Sequence, residues 1–175
     1  VNLENNSEIE DGKTVVRSFR VPKASGRSGA KSYETAYCLW DHYGYIAAQP
    51  KIAKPGDLPK DKEVADAKKQ HSSFKKLVDG LKNELPNDFG VRAVDSFLNL
   101  EGEIDKLKRH ETWQECLKIK GCNMTFRLSG NTHLVCQSEQ LIDWVKQRPL
   151  SKSDVRDGFC LITGDKSKVV RLHDS

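Results

Sequence analysis

The chain has 175 residues, of which 37% are hydrophobic and 31% are charged. No stretch approaches the roughly 20 consecutive apolar residues of a membrane-spanning helix, so the composition excludes a helical integral membrane protein. Lys and Arg number 29 against 25 Asp and Glu, which gives a formal net charge of +4. This mildly basic balance permits a nucleic-acid partner without demonstrating one.

The sign of the charge changes sharply near the start of the chain. Residues 1–12 contain acidic and no basic side chains, and we expect this end to be mobile. Residues 13–32 contain basic and no acidic side chains. Residues 14–21 are rich in β-branched side chains and predict a strand that ends at Pro22.

A loop of small residues with three cations follows, and we call residues 23–31 the basic loop. A second strand is predicted over residues 35–40. Residues 51–61 contain Pro and Gly and indicate a linker.

The spacing of apolar residues predicts three helices in the middle of the chain. The first covers residues 62–85. The second begins after Asn87 or Asp88, either of which can cap it, and the third covers residues 103–118.

Alternating patterns return after Gly121. The predicted elements are a hairpin of residues 123–128 and 132–136, a helix over 138–147 capped by Ser138, a polar loop over 149–156, and a second hairpin of 159–163 and 168–172. Strands at both ends around a central helical segment predict one α+β domain over residues 1–175.

The residues that could hold a metal or act in catalysis form no recognisable motif. Two His and three Cys lie close in sequence, at His110, Cys116, Cys122, His133 and Cys136. Their spacing lacks the short knuckles of structural zinc sites, so we expect no metal and no cofactor. An odd number of cysteines, 5, favours reduced thiols in the cytoplasm over a secreted disulfide scaffold.

Residues 26–32 resemble a phosphate-binding P-loop only in part, because Lys31 does not directly follow Gly29. His173-Asp174 lacks the distant ligands of a metal-dependent phosphohydrolase. We therefore do not expect an enzyme.

The basic loop is the strongest candidate for binding. As a solvated turn it would have no partner. As a phosphate-binding loop, its glycines would let backbone N–H groups approach closely, and its side chains would supply hydroxyls and charge. The candidate residues are Lys23, Ser25, Arg27, Ser28 and Lys31. A nucleic-acid-binding module and a protein-interaction domain both remain open on these features.

Several segments, taken in order, resemble one family, the large subunit of type I-C CRISPR Cascade complexes. They are Val21-Pro22-Lys23, Gly26-Arg27-Ser28-Gly29, Tyr37-Cys38-Leu39, the K-x-x-H-x-x-F run from Lys68 to Phe74, the A-x-x-x-F-L run from Ala93 to Leu98, Phe126-Arg127-Leu128, and the C-L-I-T-G-D run from Cys160 that continues to Arg171-Leu172-His173. Trp40 departs from the family, which often has Gly there.

The resemblance implies the amino-terminal domain of a longer protein. Such a subunit inspects duplex DNA for the protospacer-adjacent motif and supports unwinding, while guide RNA reads the target. Its implied partners are double-stranded DNA, the guide RNA complex with its backbone protein subunits, and a recruited helicase-nuclease that does the cutting.

On this reading the basic loop inspects DNA, and Arg27 reads a guanine edge or lies in a narrow minor groove. Lys166, Lys168 and Arg171 of the second hairpin extend the charged track. The alternative is a docking domain without DNA contact, in which the three-helix middle with Trp113 binds other subunits.

Overall fold

The computed structural model describes residues 3–5, 7–24, 26–53, 56–147, 155–159 and 166–170, the last two as backbone only. The chain divides into two compact units, Val1–Ile142 and Asp143–Ser175. The mixed α+β class expected from the sequence is confirmed. That the whole chain is one domain stays a prediction.

A β-hairpin opens the first unit. Strand β1, Ser7–Glu10, pairs antiparallel with β2, Lys13–Val16. The two residues between them, Asp11 and Gly12, have φ of 49° and 73°, as a two-residue turn that follows the twist of the strands requires. The strand predicted over residues 14–21 therefore starts one residue earlier and ends five residues earlier, and part of the acidic end supplies its partner.

The strand predicted over residues 35–40 is wrong. A short 3-10 helix, Ser32–Glu34, is followed by turns, and β3 covers only Trp40–His42. Leu39 has a φ of 58°, which redirects the chain and prevents a continuous strand. Helix α1, Tyr43–Ala47, follows directly and is capped by His42, whose ring nitrogen accepts a hydrogen bond from the Gly44 amide.

The long helix predicted over residues 62–85 is confirmed as α2, Asp61–Glu84. Its buried residues, Ala67, Phe74, Val78 and Leu81, recur at helical spacing and pack towards α1 and α3. Acidic residues in the first turn and Lys82 in the last turn complement the helix dipole.

Two helices replace the single one predicted over residues 103–118. After α3, Phe89–Asn99, the structure contains α4, Glu103–Lys108, and α5, Trp113–Lys118. The chain turns between them, where His110 Nδ1 accepts from the Thr112 amide at 3.3 Å. The turn allows both Leu107 and Trp113 to enter the core.

The first predicted hairpin is also wrong in its pairing. Strand β4, Asn123–Thr125, pairs antiparallel with β3 rather than with residues 132–136. Of the predicted hairpin, the described residues form an isolated β-bridge between Arg127 and Leu134. Val135–Gln137 forms a 3-10 helix instead of a strand.

One hydrophobic cluster joins the distant parts of this unit. Its buried members are Tyr43, Ala47, Leu107, Trp113 and Cys116, with Leu3, Phe97, Ile104, Leu117, Cys122 and Met124 packed against them. Burying each large side chain contributes about 1.5–3 kcal/mol. The cluster fixes α1, and therefore β3, against α4 and α5.

The predicted helix over residues 138–147 is confirmed as α6, Glu139–Gln147. The second unit contains the predicted second hairpin, formed by β5, Val155–Phe159, and β6, Lys166–Val170. Val155 pairs with Val170 and Phe159 with Lys166. Both strands therefore begin earlier than predicted, and β5 begins inside the predicted polar loop.

Candidate functional site

The basic loop presents most of its predicted site residues to solvent. Lys23, Ser28 and Lys31 are exposed, and the side chain of Arg27 is not. Gly29 has a φ of 76°, and its carbonyl accepts from the Ser32 amide at 3.2 Å as the loop enters the 3-10 helix. The remaining candidate, Ser25, lies outside the described residues.

Arg27, which is largely shielded from solvent, forms an ion pair with the buried Asp41 of β3. Its Nη1 donates to Asp41 Oδ1 at 2.9 Å, and its Nη2 donates to Oδ2. Its Nε donates to the Thr35 carbonyl at 2.6 Å. The Asp41 side chain is 1% exposed and that of Arg27 15%. Two parallel bonds from one guanidinium are the strongest and most directional form of this pairing.

The Asp41 carboxylate is fully provided with donors. Besides Arg27, the Tyr37 amide donates to Oδ2 at 3.0 Å and the His42 amide to Oδ1 at 2.8 Å. A carboxylate has about four acceptor positions, and here four N–H groups fill them. An ion pair out of water is tolerable only under such conditions, because each charge loses its hydration.

Two tyrosines surround the guanidinium. Its central carbon lies 3.5 Å from the ring centroid of Tyr37 and 4.0 Å from that of Tyr45. Arginine is the cation best suited to such stacking, because its charge is planar and delocalised. The Tyr45 hydroxyl donates to the Ser32 carbonyl at 3.1 Å, and burial raises its pKa.

The basic loop is therefore held at both ends and in the middle. At its start, Trp40 Nε1 donates to the Pro22 carbonyl at 2.9 Å. At its end, Tyr45 binds Ser32, and between them Arg27 binds Asp41. These contacts fix the positions of the exposed Lys23 and Lys31, while Gly26 and residues 28–30 also remain exposed.

His42, beside Asp41, is uncharged near neutral pH. Burial lowers its pKa to about 4, and the neighbouring Asp41 only partly opposes this. Its Nδ1 accepts from the Gly44 amide at 3.1 Å, which requires that nitrogen to be unprotonated. It therefore serves as the cap of α1 rather than as a cation of the site.

The predicted contribution of the second hairpin is untested. Lys166 and Lys168 lie on β6, opposite Phe159 and Asp157. Their side chains and Arg171 lie outside the described residues, so their part in a charged track stays a prediction.

Sequence reasoning missed the partners of Arg27. Asp41 is the sole acidic residue in the otherwise apolar and aromatic stretch from Tyr37 to Ala47. A carboxylate in such a stretch needs a buried cation or several N–H donors. The position of Asp41 in the sequence is therefore the feature that could have predicted a buried partner. Trp40, at which the chain departs from the resembled family, supplies an anchor of the loop.

The candidate zinc ligands do not converge within the part of the chain that the structure describes, where no three metal-binding side chains lie together. The thiol of Cys116 is hydrogen-bonded to Cys122, which raises the pKa of Cys116 and lowers that of Cys122 to about 7. Whether the protein carries zinc stays a prediction for metal analysis. Among the same described residues, no helix is long and apolar enough to cross a membrane.

Comparison with known protein families places the whole chain in a known family. All of residues 1–175 match the sequence model of the family described as CRISPR-associated protein (Cas_Csd1). No curated protein matches the chain.

Proposed function

Because the chain belongs to the CRISPR-associated Cas_Csd1 family, we propose that it acts in the large subunit of a type I-C Cascade surveillance complex. In this role it inspects duplex DNA for the protospacer-adjacent motif and supports unwinding of the target. Guide RNA then reads the sequence by base pairing, a division of labour known for other CRISPR effectors.

The observation that supports this function is the anchored basic loop. A loop that enters a groove of DNA must keep its shape, because ordering it on binding would cost free energy for each residue fixed. Here the fold supplies that order through Trp40, Asp41 and Tyr45, and it leaves Lys23 and Lys31 exposed.

Within the proposal, Arg27 positions the loop and its neighbours contact the DNA. Reading a guanine edge would require Arg27 to leave Asp41. The buried carboxylate would then have neither its counter-charge nor water, which is unfavourable. We therefore assign phosphate contacts to Lys23 and Lys31 and a hydrogen bond to Ser28. Lys31 already lies 3.9 Å from Glu34, but both side chains are exposed, so this pair is weak enough to exchange for phosphate.

The proposed role is binding, without catalysis. Cutting is assigned to a recruited helicase-nuclease, and the guide RNA complex and its backbone subunits are the other partners. We propose that the assembly works in the cytoplasm.

A second candidate function is docking on other subunits. It is favoured by apolar side chains on β2 and the segment after it: Val16, Phe19 and Val21 are exposed by 63%, 41% and 37%. Arg17 and Arg20 lie between them in sequence, so this segment also carries positive charge.

The test uses the assembled complex with Lys23→Gln/Lys31→Gln and, separately, Arg27→Ala. We expect the double variant to bind the matched and the motif-mutated duplex more weakly, by the same factor for both. The slope of log Kd against log salt should fall by about two, one for each lost phosphate contact. Arg27→Ala releases the loop and should reduce discrimination between the two duplexes.

Lys118→Gln/Lys120→Gln removes the same charge from exposed positions outside the loop and serves as the control. If both loop variants bind and discriminate like the parent, the loop is a solvated turn. The motif is then read elsewhere.

A further inference from the structure

Helix α2 carries a line of exposed lysines. Lys62, Lys69 and Lys76 are seven residues apart, which returns a helix to nearly the same face. We call these three the α2 lysine line. Ala65 and Ser72, which lie three residues after Lys62 and Lys69, are exposed and small, so a rigid partner can approach the helix there. Lys68 is also exposed and adds a further cation to this part of α2.

The charges of this line are available for a partner. Within the part of the chain that the structure describes, none of the three lysines forms an ion pair. Asp61 and Glu63 flank Lys62 in sequence, and Asp66 lies between Lys62 and Lys69 and is half-buried. By contrast, Asp79, at the far end of the line, is paired with Lys82 at 3.3 Å.

The middle of the line lies beside the segment that follows the basic loop. Lys69 Nζ lies 5.3 Å from the ring centroid of Tyr33, in the 3-10 helix that directly follows the loop. His71 Nδ1 lies 2.8 Å from the carbonyl oxygen of Tyr45, the residue whose hydroxyl holds Ser32. Loop and helix are thus positioned by the same residues.

The length of the line suits a duplex. At about 1.5 Å per residue, Lys62 and Lys76 are roughly 21 Å apart along α2. This distance corresponds to about six base pairs at 3.4 Å each. Evenly spaced ammonium groups on flexible stems neutralise phosphates but do not distinguish bases.

We propose that the α2 lysine line binds the sugar-phosphate backbone of duplex DNA next to the motif that the basic loop inspects. This inference rests on the proposed function and names a second contact surface for the same ligand. The line supplies affinity that is independent of sequence, and the loop supplies the discrimination.

The experiment measures binding of a matched and a motif-mutated duplex to the assembled complex, over about 50–200 mM salt. The variant is Lys62→Gln/Lys69→Gln/Lys76→Gln. Its slope of log Kd against log salt should fall by about three at most, and the ratio of the two affinities should equal that of the parent. Lys62→Arg/Lys69→Arg/Lys76→Arg keeps the charge and should bind like the parent.

The control Arg109→Gln/Lys118→Gln/Lys120→Gln removes three exposed charges outside α2 and should leave the slope close to that of the parent. Parental affinity and slope in the α2 variant would overturn the inference, and so would an equal loss in the control. Failure of the complex to assemble with the α2 variant would also overturn it, since the line would then bind another subunit.

The two proposals can fail separately. If both Lys23→Gln/Lys31→Gln and Arg27→Ala bind and discriminate like the parent while the α2 variant weakens binding, the loop proposal fails and the α2 lysine line is still a DNA-binding surface. The opposite result leaves the loop proposal standing and rejects the α2 lysine line.

Discussion

The carboxylate of Asp41 shows how one side chain organises the candidate site. It joins the basic loop, through Arg27, to the amides of Tyr37, which precedes β3, and of His42, which ends it. Because its side chain is 1% exposed, water cannot replace a lost partner. The shape of the loop and the stability of the domain therefore depend on the same contact.

We expect Asp41→Asn to reduce the free energy of unfolding by about 3 kcal/mol, because it leaves the guanidinium of Arg27 buried without its counter-charge. Urea unfolding followed by circular dichroism measures the change. Glu34→Gln removes one acid of the exposed pair with Lys31 and should cost less than about 1 kcal/mol. Equal effects of the two substitutions would show that the Arg27–Asp41 pair contributes no more than a surface pair.

At this scale, the sequence predicted the exposed lysines of the loop but not the role of Arg27. Arg27 and Lys31 look equivalent in a run of small residues, and the difference arises from a carboxylate 14 residues away. Which cation reaches Asp41 depends on the turn at Leu39 and on the position of β3, neither of which a local pattern specifies. The Asp11-Gly12 turn, in contrast, was available as a hairpin signal.

At the scale of elements, α3 and α6 share one capping network. Asp88 Oδ1 accepts from the Val91 amide at 2.9 Å and caps α3. Asp88 Oδ2 accepts from the Ser138 hydroxyl at 2.6 Å, and Ser138 Oγ accepts from the Leu141 amide at 3.2 Å. Two helix starts that are 50 residues apart in sequence are thus satisfied by two side chains.

This network predicts non-additive substitutions. Asp88→Ala and Ser138→Ala should each lower the free energy of unfolding by about 2 kcal/mol. About half of this comes from the lost helix cap, and the other half from the lost hydrogen bond between Asp88 and Ser138. The double variant should cost about 3 kcal/mol rather than 4, because the shared bond is lost once. Asp88→Asn keeps a capping oxygen and is the control. Strict additivity in urea unfolding would contradict the shared network.

The elements that the sequence predicted well are those whose signals are local. Helices α2, α3 and α6 have long apolar periods or a capping residue directly before them. Strands β3 and β4 have three residues each, too few to show a period. Their pairing is set by contacts across the chain, such as the bond from Thr125 Oγ1 to the Leu39 carbonyl at 3.0 Å, and no local pattern contains it.

At the scale of the whole molecule, two half-buried histidines, His42 and His71, connect stability to pH. Burial lowers the pKa of both His42 and His71. His42 caps α1, and His71 Nδ1 lies 2.8 Å from the Tyr45 carbonyl oxygen, so both hold the segment that anchors the basic loop. Protonating either side chain in the folded state is unfavourable, and the unfolded chain, where burial is absent, accepts the proton more readily.

We therefore expect the protein to lose stability as the pH falls from about 6.5 to about 4, between the ordinary pKa of histidine and that of folded His42. In this window the unfolded state binds more protons, so the free energy of unfolding decreases with falling pH and then levels off below it. The contribution of His42 to the free energy of unfolding is at most about 3 kcal/mol, since each unit of pKa difference corresponds to 1.36 kcal/mol.

Urea unfolding at several pH values compares the parent with His42→Asn, which keeps a capping oxygen but does not titrate. The stability difference between parent and variant should shrink as the pH falls, because only the parent takes up a proton at position 42 on unfolding. Parallel curves would mean that His42 is as easily protonated in the folded protein as in the unfolded chain.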